Sequence, residues 1–261
     1  MPALLVYSRY TPSTRALLRT ASALGWETAR VETRPPAGLE AQELAIFGTP
    51  PLAYELAEAT GRLLLSCPVG WEAQLPPRYL GRWLQSSTFA EAKGQSPPFF
   101  LKPALSKSFE PGVYSVEDLA SLEVPPEARV LISEPVHFEC ELRFFVADRQ
   151  IQASAFTRTN HEDLTRRSAV PPSAHREATG FVEELLGDSE VQCPPGFVLD
   201  VGLISQRGWA VVEANEAWAS GLYGCDPADV LPVLLACCVP SDSPSRVWDQ
   251  AAAFLEARGD A

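Results

Sequence analysis

The chain of 261 residues reads as α+β, with a small α/β unit ahead of a larger, strand-rich part. Three observations predict this. Strand-like and helix-like stretches alternate from Met1 to about Glu72. A Pro76-Pro77 break follows, and beyond it short apolar runs dominate. Residues 197–224 (FVLDVGLISQRGWAVVEANEAWASGLYG) then form two apolar runs around Ser205-Gln206-Arg207-Gly208, which suits a tight turn.

Residues 1–8 (MPALLVYS) open as a strand, and Thr11 or Ser13 can cap the helix that follows. Gly25 ends that helix, and 26–32 offers a second strand. A Pro/Gly loop covers 34–38; 45–48 is a brief strand, 51–60 a helix and 63–67 a third apolar run. Together they predict a parallel-sheet unit over about residues 1–72. Past the break, 79–92 reads as a helix carrying Arg82 and Trp83. Phe99-Phe100-Leu101-Lys102-Pro103 is an apolar strand closing on a lysine, and 104–114 is a loop. Residues 130–133 form a strand that leads into Glu134-Pro135, and 138–146 (FECELRFFV) pairs with 151–156. A polar loop over 161–173 and a helix over 176–186 precede the hairpin. Asp226-Pro227 caps a helix over 228–238, and 245–257 is a last helix. No internal repeat is present.

Hydrophobic content of 46% is enough for a sizeable core. A formal charge of −12 argues against nucleic acid or an anionic membrane as partner, since both need a basic footprint. It leaves room for nucleotides, which need only a few local cations. The six cysteines lack CxxC spacing and read as small apolar residues in a reducing compartment. The three histidines lack zinc spacing. No basic stretch followed by an apolar core opens the chain, and no apolar run approaches membrane-spanning length, so a cytoplasmic protein is expected.

The charged residues cluster in meaningful places. With the turn centred between Gln206 and Arg207, Ser205 faces Gly208 and Asp200 faces Glu213, and Asn215 shares the face of Glu213. Opposed carboxylates repel unless something neutralises them. Oxygen donors without His or Cys suit magnesium, which commonly arrives with phosphates; a solvated acidic face is the plainer account. Glu216 is a further candidate for metal or substrate. Lys102 at the end of an apolar strand needs an anion, which a phosphate or a buried carboxylate could supply. Lys107 and Gly112 in the next loop suit a cover over phosphates. Glu139, Glu141 and Arg143 stand at alternate positions of one strand, either as a polar cleft wall or as surface ion pairs.

Taken together, these residues resemble the ATP-grasp superfamily over residues from about 76 to 238. The resemblance implies two α+β subdomains that clasp ATP. A pre-ATP-grasp α/β domain (1–74) would precede the ATP-grasp domain (75–240), with a C-terminal helical tail (241–261) after it. Lys102 sits like the strand lysine on the α and β phosphates, and 106–114 like the flap over them. Glu134, Pro135 and Val136 resemble the hinge whose backbone meets adenine. Glu141, seven residues on, resembles the glutamate that holds ribose. ELRFFVADRQIQASAFTR, ending at Arg158, resembles the ribosomal-protein glutamate ligases, where the two arginines, here Arg143 and Arg158, handle phosphate or acyl phosphate. Asp200, Glu213 and Asn215 match the metal ligands. Gly81-Arg82, Lys102-Pro103, Lys107-Ser108-Phe109, Gly112-Val113-Tyr114 and VVEANEAWASGLYGCDP narrow the likeness to the clade named for one arginine and two lysines, here Arg82, Lys102 and Lys107.

The implied activity is an ATP- and Mg2+-dependent carboxylate–amine ligase. It would act through an acyl phosphate on small carboxylates and amines, amino acids or peptides. A kinase on the same scaffold and a nucleotide-binding protein without turnover are the alternatives. Val198 stands where such ligases often carry an arginine that stabilises the oxyanion, so Arg143 or Arg158 would have to supply that charge; Lys107 is the third catalytic candidate. Nothing in the sequence sets an oligomeric state.

Overall fold

Local capping signals start most of the helices. In the computed structural model, which describes residues 1–7, 11–32, 35–36, 43–104, 108–159 and 173–253 (the side chains of 158 and 159 excepted), β1 (Ala3–Tyr7) lies between β2 (Glu27–Val31) and β3 (Leu44–Phe47), parallel to both. Helix α1 (Pro12–Ala23) follows β1. Its Thr11 hydroxyl accepts from Thr14 N, the Thr14 hydroxyl accepts from Thr11 N, and a proline fills the first helical position. Gly25, at φ 79°, takes the left-handed conformation that ends it. Helix α2 (Leu52–Ala59) follows β3.

The third apolar run does not join that sheet. β4 (Arg62–Leu64) pairs antiparallel with β13 (Cys238–Pro240), from the other end of the chain. The first core is accordingly shared: Leu4, Leu5, Ile46 and Leu64 pack with Val230, Leu231, Val233 and Leu234 of α6 (Pro227–Ala236) and with Phe145 and Val198.

The helix expected over 79–92 is absent. Gly81, at φ 58°, breaks it, and β5 (Leu84–Thr88) takes its place. Thr88 then caps the short helix α3 (Phe89–Lys93) in a reciprocal pair with Glu91. β5 pairs with β8 (Arg129–Ser133), which also pairs with β6 (Phe99–Pro103). β7 (Gly112–Tyr114) completes an antiparallel sheet ordered β5-β8-β6-β7. β7 falls at the end of the loop expected over 104–114, and α4 (Val116–Ser121), capped by the reciprocal pair Ser115 and Asp118, follows in a stretch for which no element was expected.

The second large sheet is ordered β10-β9-β11-β12, from β9 (Phe138–Ala147), β10 (Gln150–Thr159), β11 (Gly196–Ile204) and β12 (Gly208–Asn215). One face packs Leu142, Phe144, Val146, Leu199 and Val201 against Ala178, Val182 and Leu185 of α5 (Ala174–Gly187). The opposite face is apolar at one end, where Phe145 pairs with Val198, and charged one step along. The expected helix over 245–257 is reduced to a 3-10 turn at Pro244–Trp248 and helical residues 251–253 among the described residues. Extended Asp249, bridged to Leu65, interrupts it. No helix among the described residues is long and apolar enough to cross a membrane.

Candidate active site

Three adjacent strands place Arg143, Asp200 and Glu213 side by side. Asp200 on β11 lies opposite Arg143 on β9 and opposite Glu213 on β12. The last pairing is the expected one, but it arises differently. The turn centres on Gln206, at φ 63°, so Ile204 pairs with Gly208. That register continued would set Val212 opposite Asp200 and turn Glu213 into the α5 core, because a one-residue slip exchanges the faces. A bulge between the pairs Val201–Val211 and Asp200–Glu213 absorbs the extra residue and brings Glu213 back to the face of Asp200.

A continuous chain of polar contacts runs across this face. Arg143 forks onto Asp200, Nε to Oδ1 at 2.9 Å and Nη2 to Oδ2 at 2.7 Å. Asn215 Nδ2 donates to Asp200 Oδ2 at 3.0 Å and to Glu213 Oε1 at 3.1 Å. Lys102 reaches over from the other sheet and donates to Glu213 Oε2 at 3.2 Å. Arg143 also donates to the Gly221 carbonyl at 3.3 Å and lies under the Tyr223 ring, 4.8 Å from its centroid. Tyr223 is exposed and sits at φ 50°, an uncommon conformation for a non-glycine residue.

The sequence reading missed Glu72. It is buried in the 3-10 turn Trp71–Gln74, 3.5 Å from Lys102 Nζ, and it accepts from Ala214 N at 3.4 Å. Arg207 was missed as well. It forks onto Glu134 at 2.7 and 2.9 Å and donates to the Gly81 carbonyl at 3.2 Å, tying the hairpin turn to the link between the sheets. Neither had a local signal, since each partner is far away in sequence.

Burial and charge compete throughout the cluster. Burial raises the Asp200 carboxyl above its ordinary value, only partly offset by Arg143. Burial pushes Glu213 the same way, but Lys102, Asn215 and Arg143 outweigh it and hold that carboxyl low. Burial works against the charge on Lys102, yet Glu72 and Glu213 leave its ammonium above the ordinary value. Glu216 is raised by burial first and then by Glu213 and Glu72. Four carboxyl groups, Glu72, Asp200, Glu213 and Glu216, thus gather around Lys102 and Arg143. Oxygen donors of this kind fit a hard divalent cation. Among the described residues no three His, Cys, Asp or Glu side chains converge on one point, so such a cation would need ligands from a bound phosphate as well.

The remaining expected residues fall as follows. Glu134, Pro135 and Val136 form the link from β8 to β9 and thus join the two large sheets. Glu141 shares the face of Arg143. An extra residue in β9 puts the Phe138 ring against Gly202, so Phe138 and not Glu139 continues that row. Arg82 lies in the bend before β5 with its guanidinium on the β12 backbone. Ser108 is exposed beside Phe109, which is buried on Phe89. Val198 is buried opposite Asn215. Lys107, most of the polar loop over 161–173 and the side chain of Arg158 lie outside the described residues.

A family model for the ATP-grasp domain, family 2 of the clade named for one arginine and two lysines, matches residues 79–233. No curated protein sequence matches the chain. A RimK domain ATP-grasp protein from Sphaerobacter thermophilus superposes with a TM-score of 0.55 at 18% identity, over 90% of this chain and 98% of that one. The synthase of N5-carboxyaminoimidazole from Aspergillus clavatus, in complex with ADP and 5-aminoimidazole ribonucleotide, gives 0.53 at 12% identity, over 92% and 78%. The ATP-grasp ligase PsnB, complexed with a phosphomimetic variant of a minimal precursor, Mg and ADP, gives 0.51 at 13% identity, over 90% and 97%. At these identities the likeness is one of fold.

Proposed function

The chain belongs to the ATP-grasp family 2 of the one-arginine, two-lysine clade, and from that membership we propose a carboxylate–amine ligase that forms a peptide-like C–N bond through an acyl phosphate. ATP-grasp members are ATP-dependent ligases; the bond formed and the substrates are the proposal. The observation that carries it is the row Arg143–Asp200–Glu213, with Asn215 beside it and Lys102 arriving from the other sheet. Two sheets thus contribute opposite charges to one spot, as a nucleotide clasped between them requires.

In this reading Asp200, Glu213 and Asn215 hold Mg2+, which when bound neutralises charge on the ATP phosphates. Lys102 leaves Glu72 and Glu213 for a phosphate, and Lys107 and Ser108 cover it. The link Glu134-Pro135-Val136 meets adenine, and Glu141 meets ribose. A substrate carboxylate oxygen attacks the terminal phosphorus, giving an acyl phosphate and ADP. An amine then attacks the acyl carbon, the C–N bond forms, the C–O bond to phosphate breaks and the amine loses a proton. The chain supplies alignment and positive charge, and no covalent nucleophile is needed. Val198 cannot stabilise the oxyanion, so that charge falls to Arg143 and Arg158. The ADP in two structures similar in fold, and the Mg in one of them, support the nucleotide and metal part of this reading.

The test is a screen of amino acids and short peptides, singly and in pairs, for Mg2+-dependent ADP release, with mass spectrometry of the products. A condensed product, lighter than the pair by one water, is expected. A phosphorylated product released without any amine would make the protein a kinase. Failure of the chain to bind ADP with Mg2+ would end the reading.

A further inference from the structure

The pairing of Glu213 with Asp200 depends on one extra residue in β12, and the structure shows what holds that residue. β12 is an edge strand, so a bulge there leaves backbone carbonyls without sheet partners. Successive carbonyls of a regular strand point to opposite sides. Here those of Val211 and Val212 both reach one guanidinium: Arg82 Nη1 donates to Val211 at 2.8 Å and Nη2 lies 3.4 Å from Val212. Nη1 also donates to the Leu80 carbonyl at 3.2 Å.

Arg82 is itself fixed in place. Gly81 packs so closely on the hairpin that a Cβ would lie 3.1 Å from Ala210 and 3.2 Å from Ile204. The centre of the Phe138 ring lies 5.3 Å from the guanidinium carbon. Burial lowers the Arg82 pKa to about 10, with Glu72 and Glu141 opposing the fall, so the group is still charged at neutral pH. Its terminal nitrogens are engaged with backbone carbonyls.

We infer that Arg82 is a positioning residue: it clamps the β12 bulge and thereby sets Glu213 opposite Asp200. A lysine lacks the two spaced, coplanar nitrogens that meet the two carbonyls here, so it should hold the bulge less firmly. The value of the clamp to the protein rests on the reading of Glu213 as a metal ligand; the clamp itself does not.

Two measurements separate these levels. The first needs no ligand: backbone hydrogen exchange of Arg82→Met and Arg82→Lys against the wild type. Exchange at Glu213 and Ala214 is expected to rise at least tenfold in both, while Gly208–Ala210 near the turn stays unchanged. Unchanged exchange at Glu213 and Ala214, or a uniform rise over all of β12, overturns the clamp. The second is calorimetric binding of ADP with and without Mg2+ to the wild type, Arg82→Met, Glu213→Gln and the double variant. Arg82→Met is expected to lose at least tenfold in the Mg2+-dependent gain while keeping Mg2+-free ADP affinity within twofold, and the double variant is expected to be no worse than Glu213→Gln. Equal losses with and without Mg2+ would make Arg82 a nucleotide contact, and additive losses would uncouple it from Glu213; either overturns the inference. A wild type that gains nothing from Mg2+ would overturn the metal reading and the purpose assigned to Arg82, leaving the clamp to be judged by exchange alone.

Discussion

Arg143 and Asp200 are nearly enclosed, with side chains 11% and 7% exposed, and they form a two-pronged ion pair. Removing one member of such a pair leaves a buried charge without its partner, which costs about 3–5 kcal/mol. Asp200→Leu should therefore destabilise the ligand-free protein by about that much in urea unfolding. Adding Arg143→Met should restore most of the loss, because the pair as a whole is replaced by apolar volume. A double variant as unstable as the sum of its parts would show that the two residues are not coupled in this way. Asp188 gives a separate pH prediction. Its carboxyl is held below the ordinary 3.8, first by the Glu190 backbone N–H and then by the Tyr79 hydroxyl and Arg78. A depressed acid binds fewer protons when folded. Its contribution is thus complete above the ordinary value and is lost as pH falls through the folded one. Between pH 6 and pH 3, the stability of Asp188→Asn should fall less steeply than that of the wild type.

At the scale of an element, the β9–β11 contact depends on a side chain that is missing. Gly202 stands on the face of Asp200, and a Cβ there would come within 2.4 Å of the Phe138 ring. Gly202→Ala must push that ring away from Arg82 or shift β9, and overpacking of this kind costs about 1–3 kcal/mol. Calorimetric melting should show a lower Tm for Gly202→Ala. Combining it with Phe138→Ala should remove much of the penalty, since the obstruction is then gone. Additive losses would place the strain elsewhere.

At the scale of the molecule, a continuous core joins the two ends of the chain. α6 and β13 pack with the N-terminal sheet, and β4 finds its partner only in β13. We propose that residues 1–74, 75–240 and 241–261 be kept as pre-ATP-grasp, ATP-grasp and tail segments in organisation, with the first unable to fold by itself. A fragment of residues 1–74 lacks the apolar cover of α6 and the pairing of β4. It should show no cooperative thermal transition by circular dichroism. A sharp transition in that fragment would make it an autonomous domain.

Much of the site was legible because its signals are local. Alternation along strands put Glu213 and Asn215 on one face, whereas their meeting with Asp200, expected from the hairpin, comes from the bulge after Val211. Thr11, Gly25 and Asp226 marked helix ends through contacts with residues only a few places away. The strand at Leu84–Thr88 was misread as helix because the same residues suit either state, and the choice falls to β8, which arrives about forty residues later. The third apolar run went unpartnered for the same reason, since β13 lies far along the chain. The turn register was misplaced by half a step, and the bulge that corrects it is held by Arg82, a residue 129 positions from Val211. The amino-acid sequence by itself determined which donors exist and which of them share a face. Only the tertiary structure decided what neutralises them, because burial and partners such as Glu72, Arg82 and Arg207 come from contacts that no local pattern encodes.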